Sequence, residues 1–174
     1  MKIIRTDALE ENFCSTPYQT ALHMCNRVKS NMGELAALKI LEPSAGEGHI
    51  IKVLLELGAK AENITAVEIH PERCEKLREL GVNVVQGDYT TVHEWMEWRE
   101  NSFDAVLMTP PFSRRGIDHV IKAVCRDLRK GGYLAAVMPD STFLRDDAKA
   151  ASFRSFLNII GTYWTERLPD GTFP

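Results

Sequence analysis

The feature that most constrains this chain is an alternation of short apolar runs with amphipathic stretches, each closed by a turn residue. The runs at 38–42, 64–68, 82–86, 103–108 and 133–138 read as strands. The segments 49–57, 72–80, 117–128 and 146–160 space their apolar residues as helices do, as in Ile50, Val53, Leu54 and Leu57. Gly58, Gly81, the pair Gly131-Gly132 and Gly161 stand where these helices should stop, and Pro71 where one should start. Strands alternating with helices of this length imply right-handed crossovers and a mostly parallel sheet. Strands that are apolar at nearly every position imply helices on both faces. In such sheets ligands bind beyond the carboxyl ends of the strands. The chemically notable residues fall at those ends: 42–48, Glu68, Asp88 and 109–112.

Composition narrows the class. A chain of 174 residues with 44% hydrophobic and 26% charged residues suits one globular domain, expected to span 1–174 without a separate target-recognition domain. No apolar run is long enough to cross a membrane, and 1–7 lacks the apolar stretch of a signal peptide, so a cytoplasmic protein is expected. Cys14, Cys25, Cys74 and Cys125 show no metal-ligand spacing, and the five histidines are scattered. No metal is expected. The net charge of −3 gives no overall basic surface for nucleic acid. The basic clusters Arg114-Arg115, Arg126 and Arg129-Lys130 read as a solvated loop and a helix C-terminus.

Four motifs carry chemistry. Glu42-Pro43-Ser44-Ala45-Gly46-Glu47-Gly48 joins the first apolar run to its helix. Its glycines let backbone approach a ligand, and the helix start offers free N–H groups. It lacks the third glycine of the dinucleotide fingerprint and the Gly-Lys-Ser/Thr of a P-loop. Glu68 follows at the end of the second run, placed to accept ribose hydroxyls, or simply to complement the next helix start. Asp88 could accept from the amine of an adenine, or serve a turn. Thr109-Pro110-Pro111-Phe112 makes a rigid strand end, with carbonyl acceptors beside an aromatic ring, suited to a planar group bearing NH2. The plainer alternative is a strand terminator with a packed Phe.

Taken in order, Phe13-x-x-Thr16-Pro17, the 41–48 loop, Ala66-Val67-Glu68-Ile69-His70-Pro71, Gln86-Gly87-Asp88-Tyr89 and 103–112 resemble the class I amino-methyltransferases. Within them the likeness is to DNA N6-adenine methyltransferases, especially small phage- or plasmid-borne ones. The resemblance covers nearly the whole chain. It implies an α/β, Rossmann-like class I methyltransferase fold and S-adenosylmethionine as cofactor, with DNA as the partner. It places Phe13, Thr16 and Pro17 at the methionine end of the cofactor, within a cofactor-lining segment 1–30. Glu42, Ser44, Gly46 and Gly48 should form the cofactor loop. Glu68 should hold the ribose, Ile69 pack on the adenine, and Asp88 read its amine. Thr109, Pro110, Pro111 and Phe112 should hold the target amine.

The chain departs from the family at two places. The family has Asn or Asp where this chain has Thr109, whose shorter hydroxyl polarises a target nitrogen less. Losing a well-placed catalytic hydrogen bond costs about 2.7–4 kcal/mol of barrier. The family sheet also ends in an antiparallel hairpin, and 162–168 should supply its first strand, leaving the hairpin incomplete at Pro174. Two alternatives therefore stand beside the DNA enzyme. One is a cofactor-binding module that has lost catalysis. The other is a protein glutamine methyltransferase, whose family shares the Pro-Pro-aromatic turn but whose loop usually begins with Asp.

Overall fold

The computed structural model describes residues 1–6, 15–92, 100–160 and 163–173. Seven strands form one sheet in the order β4-β3-β2-β5-β6-β1-β7. They are β1 (Lys2–Thr6), β2 (Ile40–Glu42), β3 (Ile64–Glu68), β4 (Asn83–Gln86), β5 (Phe103–Met108), β6 (Leu128–Pro139) and β7 (Trp164–Arg167). Every pairing is parallel. The helices are α1 (Tyr18–Met32), α2 (His49–Glu56), α3 (Pro71–Glu79), α4 (Arg114–Lys122), α5 (Ser141–Leu144) and α6 (Ala148–Ile159). The result is a Rossmann-like parallel sheet with helices on both faces, as the sequence reading expected.

Alternation along each strand sends side chains to two cores. One holds Ile40, Ala66, Ala105 and Leu107 of the sheet with Met24 and Val28 of α1, Ile51 and Leu54 of α2, and Leu77 of α3. The other holds Leu41, Val67, Val106 and Leu134 with Ile117 and Val120 of α4 and Phe153 and Leu157 of α6. Each fully buried Leu, Ile, Val or Phe contributes about 1.5–3 kcal/mol of transfer free energy. No helix among the described residues is long and apolar enough to cross a membrane.

The structure departs from the sequence reading at three places. First, the sequence reading assigned no strand before residue 38, and β1 inserts between β6 and β7. Ile3 packs into one core and Ile4 into the other. Lys2 is buried and tied to Glu166 at 2.5 Å. Two isoleucines between basic residues are too short a signal to announce a central strand. Second, β7 is not the first arm of an antiparallel hairpin. It runs parallel to β1, from Lys2 beside Trp164 to Arg5 beside Arg167. Third, Gly131-Gly132 does not cap a helix. α4 widens into a π-helical turn, Ala123–Asp127, and the glycines lie inside β6, where the register with β5 slips between Phe103 and Ala105. Gly131 takes φ +76°, and a Cβ on Gly132 would stand 2.9 Å from the Asp104 carbonyl oxygen. The slip therefore requires residues without side chains. The segment read as one helix over 146–160 begins at Ala148, where Asp147 accepts from the Lys149 and Ala150 N–H groups, and α5 is a separate short turn before it.

Candidate functional site

The chain order reverses direction between β2 and β5, and adjacent loops there open a cleft of about 340 Å³. The cleft is lined from β2 and its loop by Glu42, Ser44 and Gly46, from β3 by Glu68 and Ile69, from β4 by Asp88, and from β5 by Thr109, Pro110, Pro111 and Phe112. Thr16 reaches it from the segment before α1.

The loop between β2 and α2 is built around Glu68. Its carboxylate accepts from Gly46 N–H at 2.8 Å and from His70 N–H at 2.9 Å, so one side chain holds two loops in register. Ala45 N–H donates to the Val67 carbonyl at 3.0 Å, and Gly87 N–H to the Glu68 carbonyl at 2.9 Å. Gly46 and Gly48 adopt φ +55° and +75°, which explains glycine at both positions. Arg73 of α3 stands 3.9 Å from the Glu68 carboxylate.

Glu42 is the exception to this satisfaction. It is 2% exposed, and its Oε2 is buried without a hydrogen-bond partner among the described residues. Burial, with the Glu68 charge second, raises its carboxyl well above the ordinary range. An unpaired buried carboxylate is costly unless a cation or donor joins it. That orphaned oxygen suits the ammonium of a methionine moiety, which is how the chain's own residues fit S-adenosylmethionine.

Asp88 serves a turn, one of the two readings the sequence allowed. Its Oδ1 accepts from the Thr90 N–H at 2.8 Å and the Thr90 hydroxyl at 2.6 Å, closing a turn. Its Oδ2 faces Arg115 at 3.9 Å. The Thr90 bonds hold the carboxyl below its usual range. Ile69 is 54% exposed at the cleft rim, an apolar surface with nothing packed over it.

The other lip is closed on itself. The Thr16 hydroxyl donates to Thr109 Oγ1 at 2.8 Å. The Pro111 carbonyl is not free, because it accepts from Ser113 N–H at 2.7 Å. Phe112 is 4% exposed and meets Phe173 edge-on, with centroids 5.3 Å apart. Its ring is packed rather than offered as an open stacking face. Pro17 caps α1 and Gly48 caps α2; neither lines the cleft. A Cβ on Gly48 would meet the Leu77 side chain at 2.9 Å, so close packing adds to its positive φ in favouring glycine. Phe13 lies outside the described residues.

The sequence reading passed over His119. It is 6% exposed on α4, lines the cleft, and pairs its Nδ1 with Ser44 Oγ at 3.0 Å. Its ring leans on Tyr89 with centroids 5.2 Å apart. Burial pushes its pKa down to about 4, so the imidazole is neutral at physiological pH. The available signal was its position among Gly116, Ile117 and Val120 on the buried stripe of a helix that starts right after the Pro-Pro turn. Ser15, His49 and Arg73 also line the cleft without having been singled out, as does Arg115, which the sequence reading left to a solvated loop. Cys25 and Cys74 are buried, Cys125 is exposed, and no cluster of three His, Cys, Asp or Glu able to hold a metal occurs among the described residues.

Residues 40–132, more than half of the chain, match a family model described as a methyltransferase domain. Among solved structures, a candidate RNA methyltransferase of Pyrococcus horikoshii superposes with a TM-score of 0.60 at 21% identity, over 87% of this chain and 71% of that one. The methyltransferase subunit of a type I restriction-modification system from Streptococcus thermophilus gives 0.65 at 17% identity, over 83% of this chain and 38% of that one. TrmN of Thermus thermophilus gives 0.53 at 15% identity, over 78% and 40% respectively. At these identities the likeness is one of fold. The chain spans well under half the length of the last two. No curated protein matches the sequence.

Proposed function

The chain belongs to the methyltransferase-domain family, whose cofactor is S-adenosylmethionine, and from the resemblance of its motifs we propose that it methylates an amino nitrogen, with adenine in DNA as the target. The observation that carries this reading is the meeting of two unlike lips on one cleft. An acidic, glycine-bearing loop after β2 stands beside a rigid Thr-Pro-Pro turn after β5.

When bound, the cofactor supplies a sulfonium methyl open to in-line attack by a nitrogen lone pair. Glu42 would hold the cofactor's ammonium, its unpartnered oxygen gaining the cation it lacks. Glu68 keeps lone pairs beyond its two backbone bonds for the ribose hydroxyls. Asp88 Oδ2 would accept from the adenine amine, and the exposed Ile69 side chain would offer the ring an apolar surface. On the target side the Thr109 oxygen accepts an N–H from the attacking amine and directs its lone pair toward the methyl. Pro110 and Pro111 keep that oxygen in place by restricting the backbone. These groups supply proximity and orientation. A base in duplex DNA must leave the stack to reach them.

One observation favours the second reading, a binding module without catalysis: Thr109 Oγ1 already accepts from Thr16. Methyl incorporation from S-adenosylmethionine into adenine-containing DNA separates the two. The enzyme reading expects measurable wild-type turnover and a faster Thr109→Asn, because Asn adds a carbonyl acceptor used in the transition state. Wild type and Thr109→Asn both at background, with calorimetry still showing cofactor binding, would establish the module.

A further inference from the structure

His119 is a polar side chain more than nine-tenths buried, yet it lines the cleft. Only one of its ring nitrogens is accounted for: Nδ1 pairs with Ser44 Oγ at 3.0 Å. Nε2 has no hydrogen-bond partner among the described residues. The ring is largely buried, the residue lines the cleft, and a nitrogen left without a partner there is open to a ligand atom. Three further observations say which end of the ligand. The ring leans on Tyr89, which directly follows Asp88. Among the charges around His119, that of Asp88 acts most strongly and favours the protonated ring, as Asp118 does, while Lys122 and Arg115 oppose it. Ser44, its hydroxyl partner, sits in the loop beside Gly46, which Glu68 holds. His119 therefore lies at the nucleoside end of the site, on the Asp88 side.

We propose that His119 is a cofactor-positioning residue: with the Ser44 hydroxyl donating to Nδ1, Nε2–H donates to the adenine ring nitrogen beside the amine that Asp88 accepts. The pair then reads one edge of the base, Asp88 as acceptor and His119 as donor, and distinguishes adenine from bases with another pattern. The imidazole is neutral at physiological pH, so Ser44 sets the tautomer and leaves the Nε2 proton facing the base. The inference rests on the assignment of S-adenosylmethionine to this cleft.

The test is calorimetric titration with S-adenosylhomocysteine and its 1-deaza and 7-deaza analogues, each lacking one ring nitrogen. The proteins are wild type, His119→Asn and His119→Gln, with thermal melts confirming that each is folded. Asn places its amide near Nδ1 and can keep Ser44; Gln reaches toward Nε2 and can keep the base. The proposal expects one deaza analogue to bind wild type about tenfold more weakly than the parent, on the scale of one buried hydrogen bond. His119→Asn should bind the parent about tenfold more weakly and ignore that deletion, while His119→Gln should stay within about threefold of wild type. Parent affinity preserved in His119→Asn, or both deaza analogues binding wild type as the parent does, would overturn the proposal and leave the cofactor assignment standing. Wild type that binds none of the three compounds would overturn the cofactor assignment itself.

Discussion

The two lips of the cleft are built on opposite principles. On the cofactor lip, Glu68 takes two backbone N–H bonds and locks two loops, while neighbouring Glu42 is left buried with an oxygen unpaired. That lip is rigid and polar beyond its own needs. On the target lip three groups have found partners within the chain. Thr109 takes the Thr16 hydroxyl, the Pro111 carbonyl takes Ser113 N–H, and Phe112 packs on Phe173. The first lip gains from a ligand without rearranging. The second must give up internal contacts before a target can use it. The contrast teaches that cofactor binding and methyl transfer are separable properties of this chain.

The largest effect should come from breaking the rigid lip. Glu68→Ala orphans the Gly46 and His70 N–H groups in a buried site. Bonds to a charged group are worth about 1.5–3 kcal/mol each, so the variant should lose about 3 kcal/mol or more in urea unfolding. It should also lose at least tenfold in cofactor affinity. Full stability with intact binding would remove Glu68 as the organiser of the lip.

Glu42→Gln acts on the same lip in the opposite direction. The native Glu42 carboxyl titrates above its ordinary range, so the folded state binds more protons than the unfolded state once pH exceeds the ordinary value near 4.5. Stability therefore falls as pH rises through that window, and an uncharged Gln removes the loss. Without cofactor, Glu42→Gln should be more stable than wild type at neutral pH by about 1–2 kcal/mol. A parallel pH dependence of unfolding in the two proteins would show that Glu42 is already compensated.

On the target lip, Gly116→Ala adds a Cβ 2.6 Å from the Pro111 carbonyl oxygen. Overpacking costs about 1–3 kcal/mol, and better helix propensity returns about 1. A net loss of about 1 kcal/mol is expected, with cofactor affinity unchanged. A stabilised variant would mean that the Pro-Pro turn yields easily.

His119 lies between the lips and sets the smallest effect. Its pKa is held at about 4 in the fold, whereas an unfolded His titrates near 6.5. Between those values the unfolded chain binds the extra proton, so stability rises with pH across that window. His119→Gln should flatten part of that slope in denaturation curves taken from pH 4.5 to 7. An unaltered slope would place the imidazole in contact with water.

The cofactor lip was legible in the sequence because its parts are local. A glycine-bearing turn after an apolar run, and an acid at the end of the next strand, are each read from consecutive residues. The target lip was legible only as a motif. That Thr109 is engaged depends on Thr16, 93 positions away, and no periodicity announces such a pairing. Phe112 reads equally as a stacking face or a packed ring until Phe173 is placed against it. β1 was missed because five residues with two isoleucines carry little signal, and its place in the sheet comes from the slot between β6 and β7. The parallel course of β7 follows from that insertion, and Thr162 lies outside the described residues. His119 was hidden in the pattern that found α4, since a histidine on a buried stripe reads as core until Ser44 stands beside it.

The separability of the two lips is tested most directly by calorimetric titration of S-adenosylmethionine into wild type, Glu42→Gln and Thr109→Asn. The account predicts one molecule bound per chain in wild type, the same affinity in Thr109→Asn, and at least tenfold weaker binding in Glu42→Gln, the scale of one charge-assisted hydrogen bond. Wild type that does not bind, or Glu42→Gln that binds as wild type does, would contradict it.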